Sequence, residues 1–68
     1  MPPPIPFGYV GKWQEGEALT VFLSQGPKVH SVHQGDVVAQ WRLDEIGPGL
    51  LTFTYLPMDK QQTMRFAQ

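Results

Sequence analysis

The chain contains no cysteine. That excludes disulfides and thiolate zinc sites outright, and it says nothing of redox compartment, since a cysteine-free domain suits cytosol and periplasm equally. Charge of one sign is also missing: the formal net charge is −1, and Lys12, Lys28, Arg42, Lys60 and Arg65 alternate with Glu15, Glu17, Asp36, Asp44 and Glu45. Nucleic-acid binders usually gather a basic stripe that neutralises phosphates, so this balance argues against that class. No apolar run reaches the roughly 18–20 residues of a membrane-spanning helix. Met1-Pro2-Pro3-Pro4-Ile5-Pro6 has neither the basic start nor the apolar middle of a signal peptide. It reads instead as a cloning start, with natural sequence expected upstream. No segment carries a helical hydrophobic period.

What the chain does have is alternation. From Leu19 to Phe66, short apolar runs (Leu19 to Leu23, Val29 to His33, Trp41 to Ile46, Leu50 to Leu56, Gln62 to Phe66) are separated by Gln25-Gly26-Pro27, Gln34-Gly35-Asp36, Gly47-Pro48-Gly49 and Pro57-Met58-Asp59-Lys60. Turn signals about every 8–12 residues with period-two strands between them mark a small all-β domain. The expected fold is about six short antiparallel strands in a small β-sandwich or open barrel. With 68 residues such a domain buries only about 60% of the surface of its unfolded chain. A core of this size rarely supplies more than roughly 3–5 kcal/mol, and the aromatic and aliphatic residues, or a partner, must carry it.

Residues 1–6 are predicted to be an extended, Pro-rich lead-in, poorly ordered unless docked, because each proline fixes φ and removes a donor. The domain proper is expected over residues 7–68. Phe7 to Trp13 is the first predicted strand, with Phe7, Tyr9, Gly11 and Trp13 on one face. In the second, Leu19, Val21 and Leu23 form the core face and Thr20, Phe22 and Ser24 the other. If Val32 is core in the third strand, Lys28 to Gln34, then His30 shares its face, and Val29, Ser31 and His33 point outward. Asp36 is expected to accept backbone hydrogen bonds in the Gly35-Asp36 turn. Ile46 breaks the phase set by Trp41 and Leu43, which predicts a bulge near Asp44-Glu45. Core positions are expected at Val21, Leu23, Val32, Trp41, Leu43, Ile46, Leu51, Phe53, Tyr55 and Met64.

Chemical motifs are weak. His30 and His33, with Asp36, invite a metal reading, but residues three apart on a strand face opposite ways, so no metal site is expected and His30 is predicted partly buried with His33 exposed. Serines, histidines and acids are present without a nucleophile-elbow spacing. The pairs Glu15/Glu17 and Asp44/Glu45 lie in or beside turns, where a solvated role is the default. Neither a phosphate loop nor a dinucleotide fingerprint occurs. The expectation is a protein without enzyme activity and without a cofactor. Trp13 and Phe22 stand apart from the other aromatics, because they fall outside the predicted core and are candidate anchors for a protein partner.

Tyr9-Val10-Gly11, Leu19-Thr20-Val21-Phe22-Leu23, Gly35-Asp36, Trp41-Arg42-Leu43-Asp44-Glu45-Ile46, Leu51-Thr52-Phe53-Thr54-Tyr55-Leu56 and Thr63-Met64-Arg65-Phe66 together resemble the homology-region domain of the type II secretion C component. They resemble more distantly the type IV pilus lipoprotein P. The resemblance implies a sandwich of short antiparallel strands, a Pro-rich tether from an inner-membrane helix, and contact with the periplasmic end of a secretin. On that basis the chain is expected to be a non-enzymatic docking domain on the periplasmic side of the inner membrane, monomeric or weakly dimeric. Its partner-binding residues are expected to be Tyr9, Val10, Trp13 and Phe22, on the edge built from the first two strands. The alternative is a small OB- or cold-shock-like barrel that stacks single-stranded nucleic acid on its aromatics.

Overall fold

The computed structural model describes residues 3–67. Seven strands follow one another: β1 (Gly8–Glu15), β2 (Ala18–Gln25), β3 (Lys28–Val32), β4 (Val37–Val38), β5 (Trp41–Gly47), β6 (Leu50–Tyr55) and β7 (Lys60–Arg65). A single 3₁₀ turn, Leu56–Met58, sits between the last two. The strands form two antiparallel meanders, β1-β2-β3 and β4-β5-β6-β7, so the domain is all-β, as the turn spacing implies.

Local chemistry explains the meanders. β1–β2 and β2–β3 are joined by the two-residue turns Gly16-Glu17 and Gly26-Pro27, in which each leading glycine takes a positive φ (61° and 58°). That is the type II′ arrangement, whose twist matches the strands it joins. β4 is the element beyond the expected set. Val37 and Val38 pair with Arg42 and Trp41 through a tight turn at Ala39-Gln40, where both residues adopt positive φ (50° and 70°). This is a type I′ geometry without the usual Asn-Gly, so composition gave no turn signal there. The third strand ends at Val32, short of the predicted Gln34, because Asp36 ties back to His33 through a turn.

The core lies between the two meanders: Phe7, Val21, Leu23, Val32, Trp41, Leu43, Leu51 and Phe53 are buried. Phe53 is its centre, with its ring 5.8 Å from that of Phe7 and 6.4 Å from Trp41, the latter edge-to-face. Ile46, Tyr55 and Met64 pack against this cluster half-buried, because they stand toward the ends of their strands. The expected bulge is present, as a register shift between Leu43 and Glu45.

A second shift, between Tyr9 and Gly11, corrects the reading of β1. Because side-chain direction alternates with period two, one extra residue reverses every position beyond it. Phe7 and Tyr9 face inward, Tyr9 stacking on Phe66 at 3.8 Å, while Gly11 and Trp13 face outward. The four do not share a face. The segment before β1 is extended: the Pro3 carbonyl accepts from Gln62 Nε2 at 3.1 Å, and Ile5 packs on the core. It therefore meets β7 from the core side, since Gln62 pairs with the buried Phe53.

Candidate functional site

Sheet order separates the strand edges. β2 is paired on both sides, by β1 and by β3. The expected edge of two strands is thus an edge of β1 alone, and β2 contributes only its face. Of the remaining edges, β4 is two residues long, and β7 is six residues long and is met by the lead-in only through the Gln62 side chain. β3 spans five residues, β1 eight, and β1 is exposed from Lys12 onward.

Register defines what that edge presents. In a two-residue hairpin the closing pair, here Glu15 and Ala18, is mutually hydrogen-bonded, and bonding alternates from there. Trp13 and Gly11 therefore bond to β2. The backbone N–H and C=O of Lys12 and Gln14 point away from the sheet, toward solvent.

The outward face of β1-β2-β3 is a grid of three cross-strand rows. Trp13 stands opposite Thr20, beside His33; Gly11 stands opposite Phe22 and Ser31; Gly8 stands opposite Ser24 and Val29. Trp13 is 62% exposed and Val29 61%. Phe22, half-buried, rises between the two smallest members of its row, and nothing lies within 4 Å of where a Gly11 Cβ would be. Trp13 and Phe22 are diagonal neighbours on this face. The rows contain no lysine or arginine. Of the four expected partner-binding residues, the structure brings Trp13 and Phe22 together. It leaves Val10 as the bulged residue, 58% exposed on the edge, and turns Tyr9 into the inter-sheet layer against Phe66.

One end of the grid is pinned by a hydrogen-bond chain. Thr20 Oγ1 lies 3.0 Å from His33 Nε2, and His33 Nδ1 lies 3.2 Å from Asp36 Oδ2. Asp36 also accepts from the His33 backbone N–H at 2.9 Å, as expected for this turn. That backbone bond, followed by the imidazole, holds the Asp36 carboxyl below the usual carboxylate range against a small opposing desolvation. The chain ties β2 to a turn that in turn bonds β5, through Gly35 N–H to Leu43 and Leu43 N–H to Asp36. His30 points the other way, half-buried against the Phe7 ring and 2.9 Å from Gln25 Oε1. The two histidines therefore diverge, and no three His, Asp or Glu side chains converge on a metal-sized site among the described residues.

A second polar cluster escaped the sequence reading. Asp44, the bulged residue of β5, was expected to be solvated; its side chain is only 15% exposed. It accepts from Arg42 Nε at 2.6 Å, from Thr54 Oγ1, and from Gln61 Nε2 at 3.4 Å. Desolvation raises its carboxyl, but the bonds from Thr54, Arg42 and Gln61 and the Arg42 charge outweigh it and leave the carboxyl below its usual range. The bulge is the signal that could have found it, since it turns Asp44 over the buried Thr54. The group is structural: it covers the outer side of β6.

The described residues enclose no pocket, and none of their helices is long and apolar enough to cross a membrane. Comparison of the chain with protein-family models, curated proteins and solved structures returns no match.

Proposed function

We propose that this chain is a non-enzymatic docking domain of a bacterial secretion or pilus assembly system. It works on the periplasmic side of the inner membrane and takes a strand of a secretin's periplasmic domain, or of another component, against β1. The observation that carries the docking reading is the unguarded β1 edge, with outward backbone groups at Lys12 and Gln14 beside a face that has no lysine or arginine and bears Trp13 and Phe22. Strand addition to such an edge supplies affinity through main-chain bonds, and neighbouring side chains supply specificity. The secretion assignment rests on the resemblance of the residue runs described above. A second reading, single-stranded nucleic acid stacked on Trp13 and Phe22, draws on those same exposed rings. It ranks lower because the grid offers no cation to meet phosphates.

NMR amide-shift mapping against a cognate secretin's periplasmic domains tests the proposal. Shifts are expected across Tyr9–Leu23, and Trp13→Ala and Phe22→Ala should each weaken binding by roughly 1–3 kcal/mol while melting close to the parent. Shifts clustered at Gly47–Gly49 would retire β1 as the docking edge. Oligonucleotide binding with a steep negative salt slope would favour the second reading.

A further inference from the structure

We infer that β1 selects its partner strand by charge: Lys12 repels a second copy of this chain and admits an edge strand of another protein that carries a carboxylate opposite it. The inference rests on the docking reading above and adds the chemistry of the strand. Lys12 stands opposite Val21, whose side chain is fully buried, so its own side chain leaves the edge on the inward face of the sheet. Among the described residues it has no ion-pair partner. An inward-facing lysine on an exposed edge strand is one of the devices that blunt edge-to-edge association, and a bulge such as that at Val10 is another.

Register shows what the lysine blocks. Two copies of β1 pairing antiparallel must bring the outward backbone groups of Lys12 and Gln14 into apposition. If Lys12 faces Lys12 of the second copy, two ammonium groups lie directly opposite. If Lys12 faces Gln14, the two lysines fall on the same face as diagonal neighbours, about 7–8 Å apart. If Gln14 faces Gln14, Lys12 meets the Gly16 turn and pairing is confined to residues 13–15, too short a ladder to hold. Every register that uses the edge fully thus sets like charges together, which is destabilising across strands, whereas an opposite charge in the same place is favourable. A partner strand with Asp or Glu facing Lys12 satisfies both the backbone groups and the unpaired ammonium.

Two synthetic β-hairpin peptides test this. Their outer strands read Thr-Val-Glu-Val-Thr and Thr-Val-Lys-Val-Thr, and each is titrated into the full chain at low ionic strength with amide shifts recorded. The Glu hairpin should bind about fivefold tighter than the Lys hairpin, with shifts centred on Lys12 and Gln14. Lys12→Glu should invert the preference, and high salt should erase it. Equal affinity for the two hairpins would overturn charge selection while leaving β1 as a docking edge. Absence of shifts at Lys12 and Gln14 with either hairpin would overturn both. Sedimentation should show the parent monomeric; self-association through β1 in the parent would overturn the inference.

Discussion

Replacing Phe53 by alanine attacks the fold at the point where both sheets meet. The ring is 1% exposed and lies against Phe7 from the lead-in side and Trp41 from β5. Its truncation removes a whole buried aromatic and leaves a cavity that strands paired on both sides cannot close. Changes of that kind cost about 3–5 kcal/mol. At roughly 0.05–0.15 kcal/mol per residue, the whole domain has on the order of 3–10 kcal/mol to lose. The two ranges overlap, so most of the population should unfold at the lower end. Where the variant stays folded, each kcal/mol lowers the midpoint by about 4–8 °C in a domain of this size, which places the expected fall at roughly 12–40 °C. Near-UV circular dichroism reports it directly, because Trp41 is buried and packed edge-on to Phe53. Phe53→Leu, which keeps most of the volume, should recover more than half of the loss. A Phe53→Ala variant melting within about 5 °C of the parent would refute the inter-sheet position of this residue and the strand phase behind it.

The strained Ala39-Gln40 turn should be improvable: Ala39→Asn with Gln40→Gly suits both positive φ values and should stabilise by about 1–2 kcal/mol, read as a higher denaturant midpoint with unchanged slope. Gly8→Ala would place a Cβ 2.6 Å from Ser24 Oγ. That oxygen ends a rotatable side chain and swings aside at the loss of its long bond to the Gly8 carbonyl, so the cost should stay below about 1 kcal/mol. The companion change Ser24→Ala should relieve most of that, and additivity of the two would argue against the contact. Asp44 is held below its unfolded pKa, so its stabilisation is complete above that unfolded value, about 3.9, and is lost as pH falls through the lower folded value. Asp44→Asn should therefore flatten the acid limb of a stability-versus-pH curve, and an unchanged limb would remove Asp44 from the account.

Period-two alternation and turn chemistry were enough to read most of the fold from the chain. Val21, Leu23, Val32, Trp41, Leu43, Leu51 and Phe53 are buried where their spacing put them. Phe22 stands on the outward face, and the bulge before Glu45 is where Ile46 breaks phase. Alternation is a local property, so it survives in a sequence without any partner strand. Three features were not local. The bulge at Val10 leaves no mark in a run interrupted by two glycines, yet it decides that Trp13 faces outward while Phe7 and Tyr9 face in. The β4 hairpin turns through Ala39-Gln40, residues that do not announce positive φ and hold it because β5 pairs on one side and Leu56 donates to the Gln40 carbonyl on the other. Which strands are edges depends on sheet order. The sequence by itself determined that strands form, where most of them turn and, outside β1, which faces are apolar, since those follow from side-chain chemistry within a few residues. Only the tertiary structure decided that β2 is central and β1 an edge, because an edge is defined by the strand that is not beside it.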